Sequence, residues 1–270
     1  MSRAPLTHKL KFVCILAVPR TGSSHLCHLL HSCPDIHMKS ELFHPRGVHL
    51  FTEADHAALR AASGGEIVDD AGLCRWRAAH PGRTLELISE AGGGKLLVFK
   101  LFGAHLQREL VESEIFSRED VGYIVLRRRP IESFISGIKA RTVKLHVNVD
   151  TTAVKPAPDA EQFVKWARYV RHWYEWIDEQ IDERGLPAIR INYETQLKSV
   201  APEAALTSTL AALEAIGAPK LEPGRRIWSA TVQDREVRYQ DRIANWAEFE
   251  AALNADRRQA KLLKWAQEVR

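Results

Sequence analysis

The chain is expected to be an α/β protein of three layers, with a central, mainly parallel sheet flanked by helices. Three observations predict this. Short apolar runs at Phe12–Val18, Leu96–Phe99 and Tyr123–Leu126 have the length and composition of buried strands. Stretches of helical period follow them, an alternation that builds parallel sheets. Two of the runs end in residues suited to anions, and ligand sites of such sheets lie beyond the carboxyl ends of the strands.

Each element can be placed in order. A helix is predicted from about Ser24 to Ser32, then Pro34 and a strand-like patch ending near Glu41. Ala54–Ala62, Ala71–His80 and Thr84–Ala91 read as short helices, and Gly92-Gly93-Gly94 breaks the chain before the strand at Leu96. Leu106–Phe116 reads as a helix, as does Ile131–Ala140 after the strand at Tyr123. Val147–Asp159 has neither period, and stands as a candidate lid or acceptor loop beside the plainer reading of an inert surface loop. Phe163–Glu183 is a long amphipathic helix whose Trp166, Trp173 and Trp176 are expected in the core. Residues 1–270 are read as one domain, a length that can bury a sizeable core.

Composition narrows the classes. A net charge of +4 and a pI near 8.9 give a modest positive field that draws in multiply charged anions and is too small to argue for nucleic acid. Arg75-Trp76-Arg77 and the stretch from Lys165 to Trp176 interleave basic and aromatic residues, and are read as helix faces rather than base-stacking surfaces. Cys14, Cys27, Cys33 and Cys74 show no C-x-x-C spacing and no zinc-site partners, so a reduced, cytoplasmic chain without a metal is expected. The apolar run at Phe12 is too short to span a bilayer, and stable membrane insertion is not expected.

Arg20-Thr21-Gly22-Ser23-Ser24 follows the first strand, so a glycine turn rich in hydroxyls aims backbone N–H groups, a helix start and a guanidinium at one point. The arrangement is P-loop-like, yet no lysine follows Gly22, and Val18-Pro19 stands where a glycine-rich lead would be. Triphosphate hydrolysis is therefore disfavoured; the bland alternative is an ordinary capped helix start. Arg127-Arg128-Arg129-Pro130 closes the strand at Tyr123, with Pro130 fit for a first helical turn. Three crowded guanidinium groups call for an anion, and their fork geometry suits phosphate. A solvated basic corner is the alternative.

Together these segments resemble the sulfotransferases that use 3′-phosphoadenosine 5′-phosphosulfate (PAPS). Val18-Pro19-Arg20-Thr21-Gly22-Ser23-Ser24 is similar to their 5′-phosphosulfate loop, and Arg128-Arg129-Pro130 with Ser136 eight positions after Arg128 is similar to their 3′-phosphate motif, in the family's order and spacing. Ser40-Glu41-Leu42-Phe43 resembles the segment carrying the catalytic glutamate in bacterial carbohydrate sulfotransferases of the Nod-factor and trehalose type. Ile189 to Glu194 resembles a late strand ending in Tyr-Glu, and Arg235 to Trp246 the segment that closes over the nucleotide. The region from Leu50 to Gly94 carries little likeness.

The resemblance implies PAPS as donor, no metal requirement, and a hydroxyl of a carbohydrate or glycolipid as acceptor. It assigns Arg20, Thr21, Gly22, Ser23 and Ser24 to the phosphosulfate, Arg128 and Ser136 to the 3′-phosphate, Tyr193 to the adenine, and Arg235 and Arg238 to the phosphates. Glu41 is the first candidate for general base and His105 the rival, since cytosolic eukaryotic relatives use a histidine in a comparable place. The bacterial relatives also imply a homodimer. Two other classes stay open: a P-loop-type nucleotide phosphotransferase, and a catalytically silent adenosine-phosphate-binding protein.

Overall fold

The computed structural model describes residues 10–143, 150–227, 234, 236 and 238–268. Five strands, β1 (Phe12–Ala17), β2 (Ile36–Ser40), β3 (Leu96–Phe102), β4 (Val121–Arg127) and β5 (Ala188–Asn192), form one parallel sheet in the order β2-β3-β1-β4-β5. Their near-continuous apolar composition follows from cover on both faces. Every residue of β1 and β3 is buried. Alternate residues of β1 enter different cores. Phe12, Cys14 and Leu16 meet Trp173 and Trp176, whereas Val13, Ile15 and Ala17 meet Leu26, Leu29 and Leu206. That division makes the three predicted layers.

The helices are α1 (Ser23–His31), α2 (Glu53–Ala62), α3 (Asp70–Ala79), α4 (Pro81–Ala91), α5 (Arg108–Val111), α6 (Pro130–Val143), α7 (Ala160–Arg184), α8 (Pro202–Ala215), α9 (Trp246–Asn254) and α10 (Arg257–Gln267). The helix expected over 106–116 is α only at 108–111 and then widens into a π-helical turn, Glu112–Phe116. There the Tyr123 hydroxyl donates to the Ile115 carbonyl at 2.8 Å, a partner from outside the helix that sequence period cannot reveal. Helices α8, α9 and α10 were not anticipated. The last two pack Phe249, Leu253, Leu262 and Leu263 on Phe134 of α6 and Phe163 of α7, forming a third core.

Trp173 and Trp176 are buried and Trp166 is partly so. Of Arg75-Trp76-Arg77 only Arg75 is exposed, which rules out a stacking surface there. All four cysteines are buried free thiols. Among the described residues, no helix is long and apolar enough to cross a membrane.

Strand order decides where a ligand can sit. From β1 the chain passes through α1 to β2 on one side of the sheet, and from β4 through α6 and α7 to β5 on the other. Since β1 and β4 are neighbours, their connections diverge and open a crevice beyond their carboxyl ends.

Candidate active site

At the end of β1 the backbone turns sharply. Arg20 has φ 70° and Gly22 φ 86°, both left-handed, and Gly22 is the N-cap of α1. A Cβ on Gly22 would lie 2.2 Å from the Tyr193 ring, so glycine is required by conformation and by space. No side chain caps α1, and its first turn holds no acid. The Thr21 hydroxyl donates instead to the Val18 carbonyl at 2.8 Å, bracing the loop and leaving the helix-end N–H groups for an anion.

The start of α6 closes on this loop. Arg20 Nε donates to Ser136 Oγ at 3.2 Å. Arg128 Nη1 and Ser133 Oγ donate to the Arg20 carbonyl at 2.9 and 3.3 Å, fixing its left-handed turn. The Arg128 guanidinium also stacks on Tyr193, 4.8 Å from the ring centroid. Burial, and then the Arg128 charge, lower the Arg20 pKa.

The three arginines do not wait for an external anion. Arg127 pairs with Asp178 of α7. Arg128 and Arg129 both reach Glu132 at 3.0 Å, and Arg242 reaches the same carboxylate at 2.9 Å. Glu194 accepts the Arg129 backbone N–H at 2.9 Å. Glu132 is only 2% exposed. Although burial raises its pKa, the Arg128 and Arg242 charges outweigh that and hold it at about 2. The anions that these crowded cations call for are supplied within the protein by the carboxylates of Asp178 and Glu132. Hydrogen-bonding capacity nonetheless remains. Nε of Arg128, Nε of Arg129 and Oε2 of Glu194 are buried and have no hydrogen-bond partner among the described residues. The two guanidinium N–H donors suit phosphate oxygens, whereas the Glu194 oxygen can only accept and suits a ligand hydroxyl or N–H.

A third cluster lies where β2 and β3 end side by side. Ser40 has φ 47° beside a register shift in the β2–β3 pairing, and this irregularity brings Glu41 out at the strand end. Its carboxylate lies 3.2 Å from Lys100 Nζ, 3.5 Å from His105 Nε2 and 3.9 Å from His44 Nε2. Lys100 Nζ also donates to Ser24 Oγ at 3.3 Å, tying this cluster to the anion loop. Burial raises the Glu41 pKa, but the His105 hydrogen bond and the Lys100 charge prevail and hold it at about 2. His105 is buried, and its Nδ1 accepts the Phe102 backbone N–H at 3.3 Å. Nε2 therefore carries the proton and faces Glu41. Of the two base candidates, Glu41 is the more exposed, with 25% of its side chain open against 4% for His105.

Most of the expected residues converge. Arg20, Gly22, Arg128, Ser136 and Tyr193 form one contiguous set, while Glu41, His105 and Ser24 join it through Lys100. Ser23 is buried at the start of α1. Arg238 stays apart, its guanidinium forked onto Asp241 at 2.7 and 2.9 Å and 73% exposed. Arg235 lies outside the described residues, as does part of the 147–159 loop. Lys100, Glu132, Glu194 and Arg242 were not singled out as site residues. A lysine inside the otherwise apolar Leu96–Phe102 run, and an acid three and four places after two arginines, were the available signals.

Fold and cluster together define the class: a parallel α/β protein gathering cations, uncapped helix-end N–H groups and an ionised carboxylate at the carboxyl end of its sheet. No protein-family profile matches the chain, and no curated protein does. Among solved structures, the sulfotransferase domain of an olefin synthase from Synechococcus PCC 7002 is 16% identical, with TM-score 0.46 over 81% of this chain and 78% of that one. A sulfotransferase from Alicyclobacillus acidocaldarius is 13% identical, with TM-score 0.42 over 95% and 96%. Both scores fall below one half.

Proposed function

We propose that the protein is a sulfotransferase moving a sulfuryl group from PAPS to a hydroxyl of a carbohydrate or glycolipid acceptor. The supporting observation is the junction of the two basic segments, in which Arg20 bonds Ser136 and Arg128 holds the Arg20 carbonyl, with Lys100 linking the loop to Glu41. A donor with phosphates at both ends of one ribose uses both segments at once. A triphosphate uses one.

In the proposed reaction the acceptor oxygen forms a bond to sulfur, the bridging bond from sulfur to the 5′-phosphate oxygen breaks, and the hydroxyl proton passes to Glu41. Adenosine 3′,5′-bisphosphate leaves with the bonding electrons. This chain's part is positioning and charge stabilisation. N–H groups at the start of α1, with Arg20 and Lys100, face the oxygen that gains charge. Arg128 and Ser136 hold the 3′-phosphate, and Tyr193, already stacked on Arg128, flanks the base. Held at about 2, Glu41 is ionised at neutral pH and a weak proton acceptor. Its basicity rises as Lys100 turns toward the departing oxygen, so proton uptake and bond cleavage are coupled through one lysine.

Calorimetric titration with adenosine 3′,5′-bisphosphate, without magnesium and beside adenosine 5′-phosphate and ATP, tests the donor assignment. Tight binding that requires both the 3′-phosphate and Arg128, judged with Arg128→Ala, is expected. ATP binding as tight or tighter overturns the proposal in favour of a nucleotide phosphotransferase.

A further inference from the structure

Arg77 is a large side chain that is fully buried, with 0% of its surface exposed. It lies on α3, within the region of least likeness to the sulfotransferase pattern. No carboxylate among the described residues lies within ion-pair distance of it, and Asp70 of α3 acts on its charge only from farther off. Its guanidinium is instead spent on carbonyls: Nη1 donates to Leu42 O at 2.5 Å, and Nη2 to Gly47 O at 3.0 Å and His44 O at 3.4 Å. Nε turns back to Leu73 O at 3.4 Å, Nη2 also reaches Cys74 Sγ at 3.0 Å, and the Phe51 ring covers the cation at 4.9 Å. Burial lowers its pKa, so the site stabilises the charge less well than water does.

A buried cation of this kind is costly, and an apolar side chain of similar volume fills space without that cost. What an apolar residue cannot do is bind three carbonyls of one segment. That segment is the one leaving Glu41. Leu42 and Phe43 are buried at its start, Glu41 stands between them and the irregular end of β2, and His44 returns its ring to within 3.9 Å of the Glu41 carboxylate. From the geometry we infer that Arg77 is a positioning residue, fixing residues 42–47 from behind so that Glu41 and His44 meet Lys100 and His105 at the front. This rests on the reading of Glu41 as the base. It makes α3 a second-layer support for the reacting carboxylate rather than a surface for a partner.

The test follows the Glu41 carboxyl by carbon-detected NMR titration in Arg77→Met, which keeps volume and removes the fork, and in Arg77→Lys, which keeps a cation with fewer aligned donors. In Arg77→Met the Glu41 midpoint is expected to rise by about two pH units, toward the ordinary carboxylate range, as the carboxylate loses its place beside Lys100 and His105. Arg77→Lys is expected to fall between Arg77→Met and wild type. Affinity for adenosine 3′,5′-bisphosphate stays within about twofold in both, because the anion loop and α6 are untouched. A wild-type midpoint in either folded variant overturns the inference. Should Arg77→Met not fold, amide exchange in the wild type decides: Leu42 and His44 N–H groups exchange as slowly as the sheet, and fast exchange there overturns it. Failure of the sulfotransferase reading looks different, being loss of bisphosphate binding by the wild type with the Glu41 titrations unaffected.

Discussion

Replacing Lys100 by Met removes a buried charge while nearly keeping its volume, and its effect on Glu41 can be worked from the geometry. At 3.2 Å, and with an effective dielectric of about 20, the Lys100–Glu41 attraction is about 5 kcal/mol. Holding Glu41 at about 2, against an ordinary value of ~4.3, corresponds to about 3 kcal/mol at ~1.36 kcal/mol per unit. The attraction exceeds the net effect because burial of the carboxylate opposes it, and because a quarter-exposed side chain is partly screened. Without Lys100, burial is opposed mainly by the His105 hydrogen bond, so the Glu41 midpoint rises by about two units or more. The sign for stability follows. A depressed pKa gives stability that is fully present above ~4.3 and is lost as pH falls through about 2; in Lys100→Met the folded and unfolded values nearly coincide, so this contribution is absent at every pH. Carbon-detected titration of Glu41 measures the shift directly, and the acidic limb of the sulfuryl-transfer rate should move up with it. Turnover at neutral pH should fall by roughly 10²-fold or more, through loss of charge stabilisation at the departing oxygen. A folded Lys100→Met protein whose Glu41 still titrates near 2 refutes the coupling.

Other perturbations test the remaining parts of the site. Gly22→Ala places a methyl 2.2 Å from the Tyr193 ring at φ 86°, so about 1–2 kcal/mol of backbone strain adds to displacement of the ring that stacks on Arg128. Bisphosphate affinity should drop at least about tenfold, and a second change, Tyr193→Leu, should make the glycine substitution less damaging; additive losses argue against the contact. Glu132→Gln leaves Arg128, Arg129 and Arg242 without their shared charge and should cost about 3–5 kcal/mol in urea unfolding. In the wild type, the stability carried by Glu132 should be retained down to about pH 4 and weaken from there toward about pH 2, a stretch that should flatten in Glu132→Gln. Tyr123→Phe removes the bond to the Ile115 carbonyl and should cost about 1 kcal/mol, seen as a lower thermal midpoint.

Fold and site were legible to different depths. β1, β3 and β4 stand out because strands covered on both faces are apolar along nearly their whole length, and α4 and α7 carry a clear amphipathic period. Helices α9 and α10 were missed although α10 has a clear amphipathic period; their apolar residues face a third core built from α6 and α7 rather than the sheet. The paired motifs led to Arg20, Arg128 and Ser136 because each side chain lies within a few residues of the backbone turn that aims it.

The sequence by itself determined the alternation of strands and helices, the glycine turn at Gly22 and the basic corner before Pro130, all of which depend on near neighbours in the chain. Only the tertiary structure decided which charges meet. Lys100 lies between Ser24 and Glu41, Glu132 gathers three arginines, and Arg77 holds the segment behind Glu41. Apart from Arg128 and Arg129, which lie four and three residues before Glu132, these contacts join residues far apart in the chain, and electrostatic energy depends on separation and burial in space. Strand order sets both.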